Sequence, residues 1–429
     1  MAKTTVVNFK GGGTLVYEKS NRNKSTSVIA GFGVGSANNT QNGIAHFAEH
    51  MLFKGTNKRT KEELEKDLSE YCGTEFNAYT AQDYTFFVFN RANVLLENAL
   101  EVASDVLTNL NVLKKNVDAE RSVILEEYNI DMDASKHRIN EEHYTKILNR
   151  NYGAQFSVGN SEDLNNITVK NIVEFRKKFY TRENFVICAV GSESLYNVKK
   201  YVKKYFLNNL PVNEGAKKIE HPYKIVGDSF YQIVKKEVDN VLVLISLEAV
   251  ASSDVMRNPA LSFIEEYLTG GLDGVLFKNV RDKGLAYSIS TFKDVHKDCG
   301  LFSIFFESSK QNINKVIDEI SKVIKDTIKN GVPSDVVEKI RKNFNYSFSE
   351  LDHKNMSKAM KYGRLIVCGE ELLDDEEKRK RCNNVTKEVI DEYFSELFSK
   401  NNKIFITLGG KIKQGEVYNF EEIKSKILK

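Results

Sequence analysis

The period of the hydrophobic pattern switches repeatedly along this chain, and each switch marks an element. Residues 4–9, 13–18 and 26–34, rich in Val, Thr and Gly, read as strands. Residues 43–56, GIAHFAEHMLFKGT, change to a helical period, with Ile44, Phe47, Ala48, Met51 and Leu52 on one side. KEELEKDLSEYC (61–72) is a second helix, and EFNAYTAQ with DYTFFVFN form two short β-rich runs that pair. Amphipathic helices follow at 93–110 and 117–133, the latter extended by another around His143. Residues 169–180 read as a helix, 184–192 as a buried strand and 194–206 as a further helix.

The second half repeats this order at an offset of roughly 217 residues. FYQIVKKEV and VLVLISLEAV supply strands, followed by a helix at 258–268 and a shorter one at 274–281. TFKDV and LFSIFFES are strands, and 311–331 answers the helix at 93–110. SDVVEKIRKNFNYSFSEL answers the helix around Glu127, and KEVIDEYFSELF then KIFITLGGK answer the pair at 169–192. The expected fold class is α+β, with two homologous sheet-plus-helix halves at 1–208 and 223–429. The join falls in LNNLPVNEGAKKIEHP, which carries Pro, Gly and Asn and lacks periodicity.

Composition changes this picture little. At 41% hydrophobic and 28% charged, the chain has the makings of an ordinary globular core. A net charge of +3 argues against a nucleic-acid groove or an anionic-lipid surface. No run approaches the roughly 18 apolar residues of a membrane span, and the start, MAKTTVVNFKGGG, has no secretory core, so the expected location is cytoplasmic. The five Cys are widely spaced and lack a C-x-x-C pair, which excludes a disulfide framework and a Cys-type zinc site.

The candidate chemistry lies on the polar side of the helix at 43–56, where His46, Glu49 and His50 form an H-x-x-E-H pattern. Two His one turn apart can grip one zinc ion, and the Glu beside the second can reach the ion's water. A catalytic zinc site needs a third protein ligand. Counting about 100° per residue, Val117, Ile124 and Tyr128 cluster on the helix at 117–133, and Val123 and Ile130 form a second apolar set. Glu120 and Glu127 fall between the two sets and Glu126 outside. A carboxylate among apolar neighbours needs a cation or a donor. Zinc on Glu127 with Glu120 behind it answers that need; so does an ordinary buried network with Arg or Lys. The second half has no H-x-x-E-H. His137, His143, His221, His296 and His353 have no partner spacing and read as surface or core residues.

HFAEHMLFKGT followed by ERSVILEE resembles the pitrilysin and mitochondrial processing peptidase family, inverted-motif zinc peptidases built from duplicated α+β halves. The resemblance implies one Zn²⁺ on His46, His50 and Glu127, with Glu49 as general base and Glu120 as its supporting acid. FNAYTAQDYTFF resembles the family's edge strand, which implies that Asn77, Ala78 and Tyr79 pair with an extended peptide substrate. GGLDGVLFKNVRDKGLAYS resembles the segment whose Arg and Tyr hold the substrate's carbonyl, here Arg281 and Tyr287. The expected activity is that of a zinc metalloendopeptidase acting on unstructured or presequence-like peptides. The family branch with two domains per chain implies a homodimer, or a heterodimer with a related subunit. A subunit of a two-component peptidase and a non-catalytic structural relative are the alternatives.

Overall fold

The computed structural model describes residues 4–21, 23–133, 135–148, 158–213, 219–220, 222–234, 240–350, 355–413 and 415–429. Its strands are β1 (Thr4–Asn8), β2 (Thr14–Lys19), β3 (Ser25–Phe32), β4 (Asn77–Thr80), β5 (Thr85–Ala92), β6 (Phe185–Gly191), β7 (Phe230–Val234), β8 (Asn240–Ala249), β9 (Ser288–Val295), β10 (Gly300–Ser309) and β11 (Ile404–Gly409). The first helices are α1 (Ile44–His50), α2 (Lys61–Asp67), α3 (Leu96–Thr108), α4 (Lys114–Asp133), α5 (Ser135–Ile147), α6 (Ser161–Asn166), α7 (Val169–Phe179) and α8 (Leu195–Tyr201). Then come α9 (Arg257–Thr269), α10 (Ile313–Asn330), α11 (Ser334–Glu350), α12 (Asn355–Cys368), α13 (Asp375–Asn384), α14 (Lys387–Leu397) and α15 (Phe420–Ile427).

The chain forms two compact units. One comprises Met1–Asp131, Ala154–His221 and Leu351–Asp374; the other comprises Met132–Gly153, Pro222–Glu350 and Asp375–Lys429. Each half of the sequence therefore gives one helical segment to the unit built mainly from the other half. The sequence pattern shows a helix around His143 but not this exchange, and it leaves α12 and α13 unread.

The first unit holds a six-stranded sheet in the order β1-β2-β6-β3-β5-β4, with β2 and β6 parallel and the other neighbours antiparallel. Side chains alternate across its faces. Val28, Ala30, Phe32, Phe87 and Phe89 point into a core shared with α1, α3, α7 and α8. Ile29, Phe86, Val88 and Cys188 point the other way, against Ala359 and Tyr362 of α12. Gly363 lets α12 lie close, since a Cβ there would overlap Ile29 and Phe86. Glu18 is buried on this face, where it accepts from Lys358 Nζ at 2.8 Å and from Tyr362 Oη at 2.5 Å.

The second unit holds a five-stranded sheet in the order β7-β11-β8-β10-β9. Val241, Val243, Ile245, Phe302, Ile304 and Ile406 face a core shared with α9, α10, α14 and α15. On the opposite face α5 supplies Ile139, Tyr144 and Ile147 to a smaller cluster with Leu244 and Phe405. His143 is fully buried there, between Thr407 Oγ1 at 2.9 Å and Ser246 Oγ at 2.8 Å.

Candidate metal centre and peptide cleft

Helix α1 begins at Gly43, whose φ of +81° suits a residue without a Cβ; a Cβ would also overlap Val158 O. In place of a side-chain cap on Gly43, Asn39 Oδ1 accepts from Ala45 N at 3.1 Å. The apolar face of α1 (Ile44, Phe47, Ala48) is buried, as are Met51 and Leu52 beyond its end. This burial fixes the helix so that His46, Glu49 and His50 share the remaining face. Their rings and carboxylate line a cleft of about 440 Å³ together with Glu127, Glu120, Lys54 and residues 77–80 of β4.

His46, His50 and Glu127 each offer one ligand atom, and the three atoms lie within 4.8 Å of one another. His50 Nε2 is 3.3 Å from Glu127 Oε2, and His46 Nε2 is 4.0 Å from it. A tetrahedral zinc with bonds of about 2.0–2.2 Å sets neighbouring donors roughly 3.3–3.5 Å apart. One of these spacings matches and the other needs a shift of about half an ångström or slightly more. The donor set, two imidazoles and a carboxylate, suits zinc and leaves a fourth position open. The residues present therefore fit a catalytic zinc ion.

The second layer is equally specific. His50 Nδ1 lies 2.9 Å from Glu120 Oε1, and Lys54 Nζ sits 2.5 Å from Glu120 Oε2. Such a carboxylate fixes the ring and leaves its other nitrogen for the metal. Burial opposes the Glu120 anion, but hydrogen bonds from His50 and Lys54 outweigh it and lower its pKa. Burial pushes His46 down to about 3, aided by the charge of His50, so its ring is neutral and ready to ligate. Burial also disfavours the His50 cation; the Glu120 hydrogen bond and the Glu127 charge reverse this and raise its pKa. A metal ion would displace that proton. Glu49 has its pKa raised by burial, against the pull of His50 and a hydrogen bond from Thr80 Oγ1 at 3.0 Å.

Lys54 and Thr80 are absent from the sequence reading. Lys54 stands four residues beyond His50, and Thr80 alternates with Ala78 on one face of β4; those spacings were the available signals. The reading of α4 also needs correcting. Val123 and Ile130 are exposed, so Glu120 and Glu127 do not sit between two buried apolar sets. Arg121 reaches Leu164 O, and Ile167 O at 2.6 Å, with its guanidinium over the Phe47 ring, and these contacts lock α4 against α1. Asn77, Ala78 and Tyr79 lie on β4, the edge strand of the sheet. Arg281 and Tyr287 belong to the second unit, where Arg281 Nη1 donates to Tyr287 O at 2.6 Å and lies over the Tyr287 ring. His221 and His353 lie outside the described residues.

Residues 14–161 match the family model described as Insulinase (Peptidase family M16), and residues 166–344 match the Peptidase M16 inactive domain. The chain belongs to peptidase family M16. Among M16 relatives, a Rickettsia bellii protein described as an uncharacterized zinc protease is 24% identical over 379 residues, spanning 87% of this chain and 90% of that one. A Schizosaccharomyces pombe protein described as a probable mitochondrial-processing peptidase subunit beta is 26% identical, over 74% of this chain and 72% of its own. The fold is that of a protease from Helicobacter pylori, with a TM-score of 0.84 at 20% identity over 95% of this chain and 100% of that one. The periplasmic protease PqqL from Escherichia coli shares the fold too, with a TM-score of 0.80 at 16% identity over 99% of this chain and 49% of that one. Among the described residues no helix is long and apolar enough to cross a membrane.

Proposed function

We propose that this M16 chain is a zinc-dependent endopeptidase that cuts extended, unstructured or presequence-like peptides. The observation that carries the reading is the convergence of His46, His50 and Glu127 beside Glu49, in a cleft bordered by the edge strand β4. When bound, zinc supplies Lewis-acid chemistry, polarising a carbonyl and acidifying water. Glu49 takes the proton from the attacking water and hands it to the leaving amine. Thr80 holds the Glu49 carboxylate in place, and Glu120 with Lys54 holds the His50 ring. The edge-strand segment Asn77, Ala78 and Tyr79 receives a peptide by strand addition, a mode that folded proteins cannot satisfy. The roles of Arg281 and Tyr287 as groups that hold the substrate's carbonyls rest on the resemblance of their segment. A homodimer is the proposed assembly, with a related subunit as the other possible partner. The cytoplasm is the proposed compartment, in keeping with five free cysteines.

The test is Glu49→Gln. The variant should keep one zinc per chain and lose about 10²–10⁴-fold in kcat on an unstructured peptide. Unchanged turnover, or a wild-type chain that takes up no zinc, overturns the reading.

A further inference from the structure

A second cleft, of about 450 Å³, lies beside β4 on the opposite face of the same sheet. Tyr79, Val88, Met356 and Met360 give it an apolar patch, beside five neutral Asn and Ser residues and one charged residue, Glu75. Met356 and Met360 come from α12 and are partly buried against the sheet. Tyr79 is 46% exposed and borders both this cleft and the metal cleft. The two clefts therefore flank one edge strand.

The edge is open over only a few residues. Ala81 N donates to Tyr84 O at 2.9 Å, which closes the β4–β5 turn. Hydrogen-bonded pairs then recur every second residue, at Tyr79 and Asn77, so Ala78 and Thr80 turn their N–H and C=O groups outward. Asn77 Oδ1 accepts from Ala78 N at 2.9 Å, a bond that an incoming strand would replace. Beyond Thr80 the edge is closed, because Ser36 N takes Ala81 O at 2.9 Å. A strand added here sends alternate side chains to opposite faces. Those on the α1 face enter the metal cleft. Their immediate neighbours point to the opposite face, on which the cleft of Met356 and Met360 lies.

We infer that this second cleft is a specificity pocket, which takes a long apolar side chain (Met, Leu or Phe) from alternate positions of the bound peptide. The inference rests on the peptidase reading above for the presence of a peptide on β4. Flexible methionines accommodate several apolar shapes, so the pocket selects size and apolarity rather than one residue. Glu75 lines the same cleft and is exposed.

The test is a random pool of unstructured peptides offered to the zinc-loaded full chain, with cleavage sites mapped by mass spectrometry. Wild type should favour Met, Leu or Phe at alternate positions. A Met356→Ala/Met360→Ala variant should lose about 10-fold of that preference in kcat/KM, with zinc content and the positions between unchanged. An identical profile in the variant, or no alternate preference in wild type, overturns the inference. A preference for Lys or Arg there that Glu75→Gln removes also overturns it. Sequencing the peptides retained by Glu49→Gln protein gives the same readout without turnover. If wild type cuts nothing but those peptides keep the alternate apolar pattern, the peptidase reading fails and the pocket stands; if they lack it, both fail.

Discussion

Arg121 in α4 and Arg341 in α11 make matching contacts in the two units. Arg121 reaches Leu164 O and Ile167 O and lies over Phe47; Arg341 reaches Cys382 O and Val385 O, each at 2.8 Å, and lies over Phe263. These anchors let the two half-sites be read position by position along their helices. One residue before the Phe stands His46 in the first unit and Ser262 in the second; three after it stand His50 and Glu266. One before the Arg stand Glu120 and Ile340, and six after it stand Glu127 and Ser347. Only the counterpart of Glu49 keeps its type, as Glu265. There a partly buried lysine, Lys293 of the edge strand β9, donates to Ser262 Oγ and faces the Glu265 charge. The frame needs the arginine lock and the apolar helix faces in both copies. A His, His and Glu donor set needs three further positions, and only the first copy has them.

The strongest way to break this comparison is to make the same change at matched positions. His50→Ala should abolish zinc binding and turnover, whereas Glu266→Ala should leave zinc content unchanged. Glu120→Gln should fall between them, with zinc bound about 10–100-fold more weakly, as befits a group that holds a ligand rather than the ion. Metal analysis after dialysis against a chelator series reads all three. Full zinc content in His50→Ala would mean that the first half-site is as empty of metal chemistry as the second.

The opposite faces of the two sheets differ as well. Helix α12 is pinned by ionic and phenolic bonds to Glu18, whereas α5 is pinned by the neutral imidazole of His143. Burial pushes His143 from 6.5 down to about 3. Between those values the unfolded chain holds a proton that the folded one lacks, so stability falls as pH drops. The loss should reach roughly 4 kcal/mol by pH 3. Urea unfolding of wild type and His143→Gln across this range should show the variant less stable at pH 7 and with a flatter pH dependence. Parallel curves would show that His143 is already protonated in the fold.

What was legible in the sequence follows from which forces are local. Amphipathic period placed α3, α7 and α14 to within a few residues, because one face of each must be buried, and short continuous apolar runs placed β6 and β11, which are buried throughout. H-x-x-E-H announced itself because it needs a single helix. The helix exchange was invisible: the residues of α5 and α12 that meet the sheets, Ile139, Tyr144, Ala359 and Tyr362, are ordinary core types, and the sheet each one meets is set by topology. Glu127 was only half legible. Its neighbours Val123 and Ile130 look like a buried stripe but face solvent, and the resemblance, not the period, singled it out. The counterpart of Glu49 was missed altogether, because Glu265 has no imidazole beside it to draw attention.

The mildest test concerns the residues at the matching positions of the second copy. Burial raises the pKa of Glu265, with Lys293 opposing, and burial lowers that of Lys293, with Glu265 opposing. Neither partner recovers in the fold what it loses by leaving water. A raised carboxylate costs stability as pH climbs past its unfolded value near 4.5, and a lowered ammonium costs it as pH falls below 10.5. The pair is therefore a net burden across neutral pH. Glu265→Leu/Lys293→Met should stabilise the chain by about 1–2 kcal/mol at pH 7, below the gain from a fully buried pair because both side chains are partly exposed. Lys293→Met alone should destabilise by a similar amount, since it leaves the carboxylate without its cation. Chemical unfolding of the two variants and wild type at pH 7 decides it. A double variant less stable than wild type would show that the Lys–Glu pair supports the second half-site rather than merely occupying it.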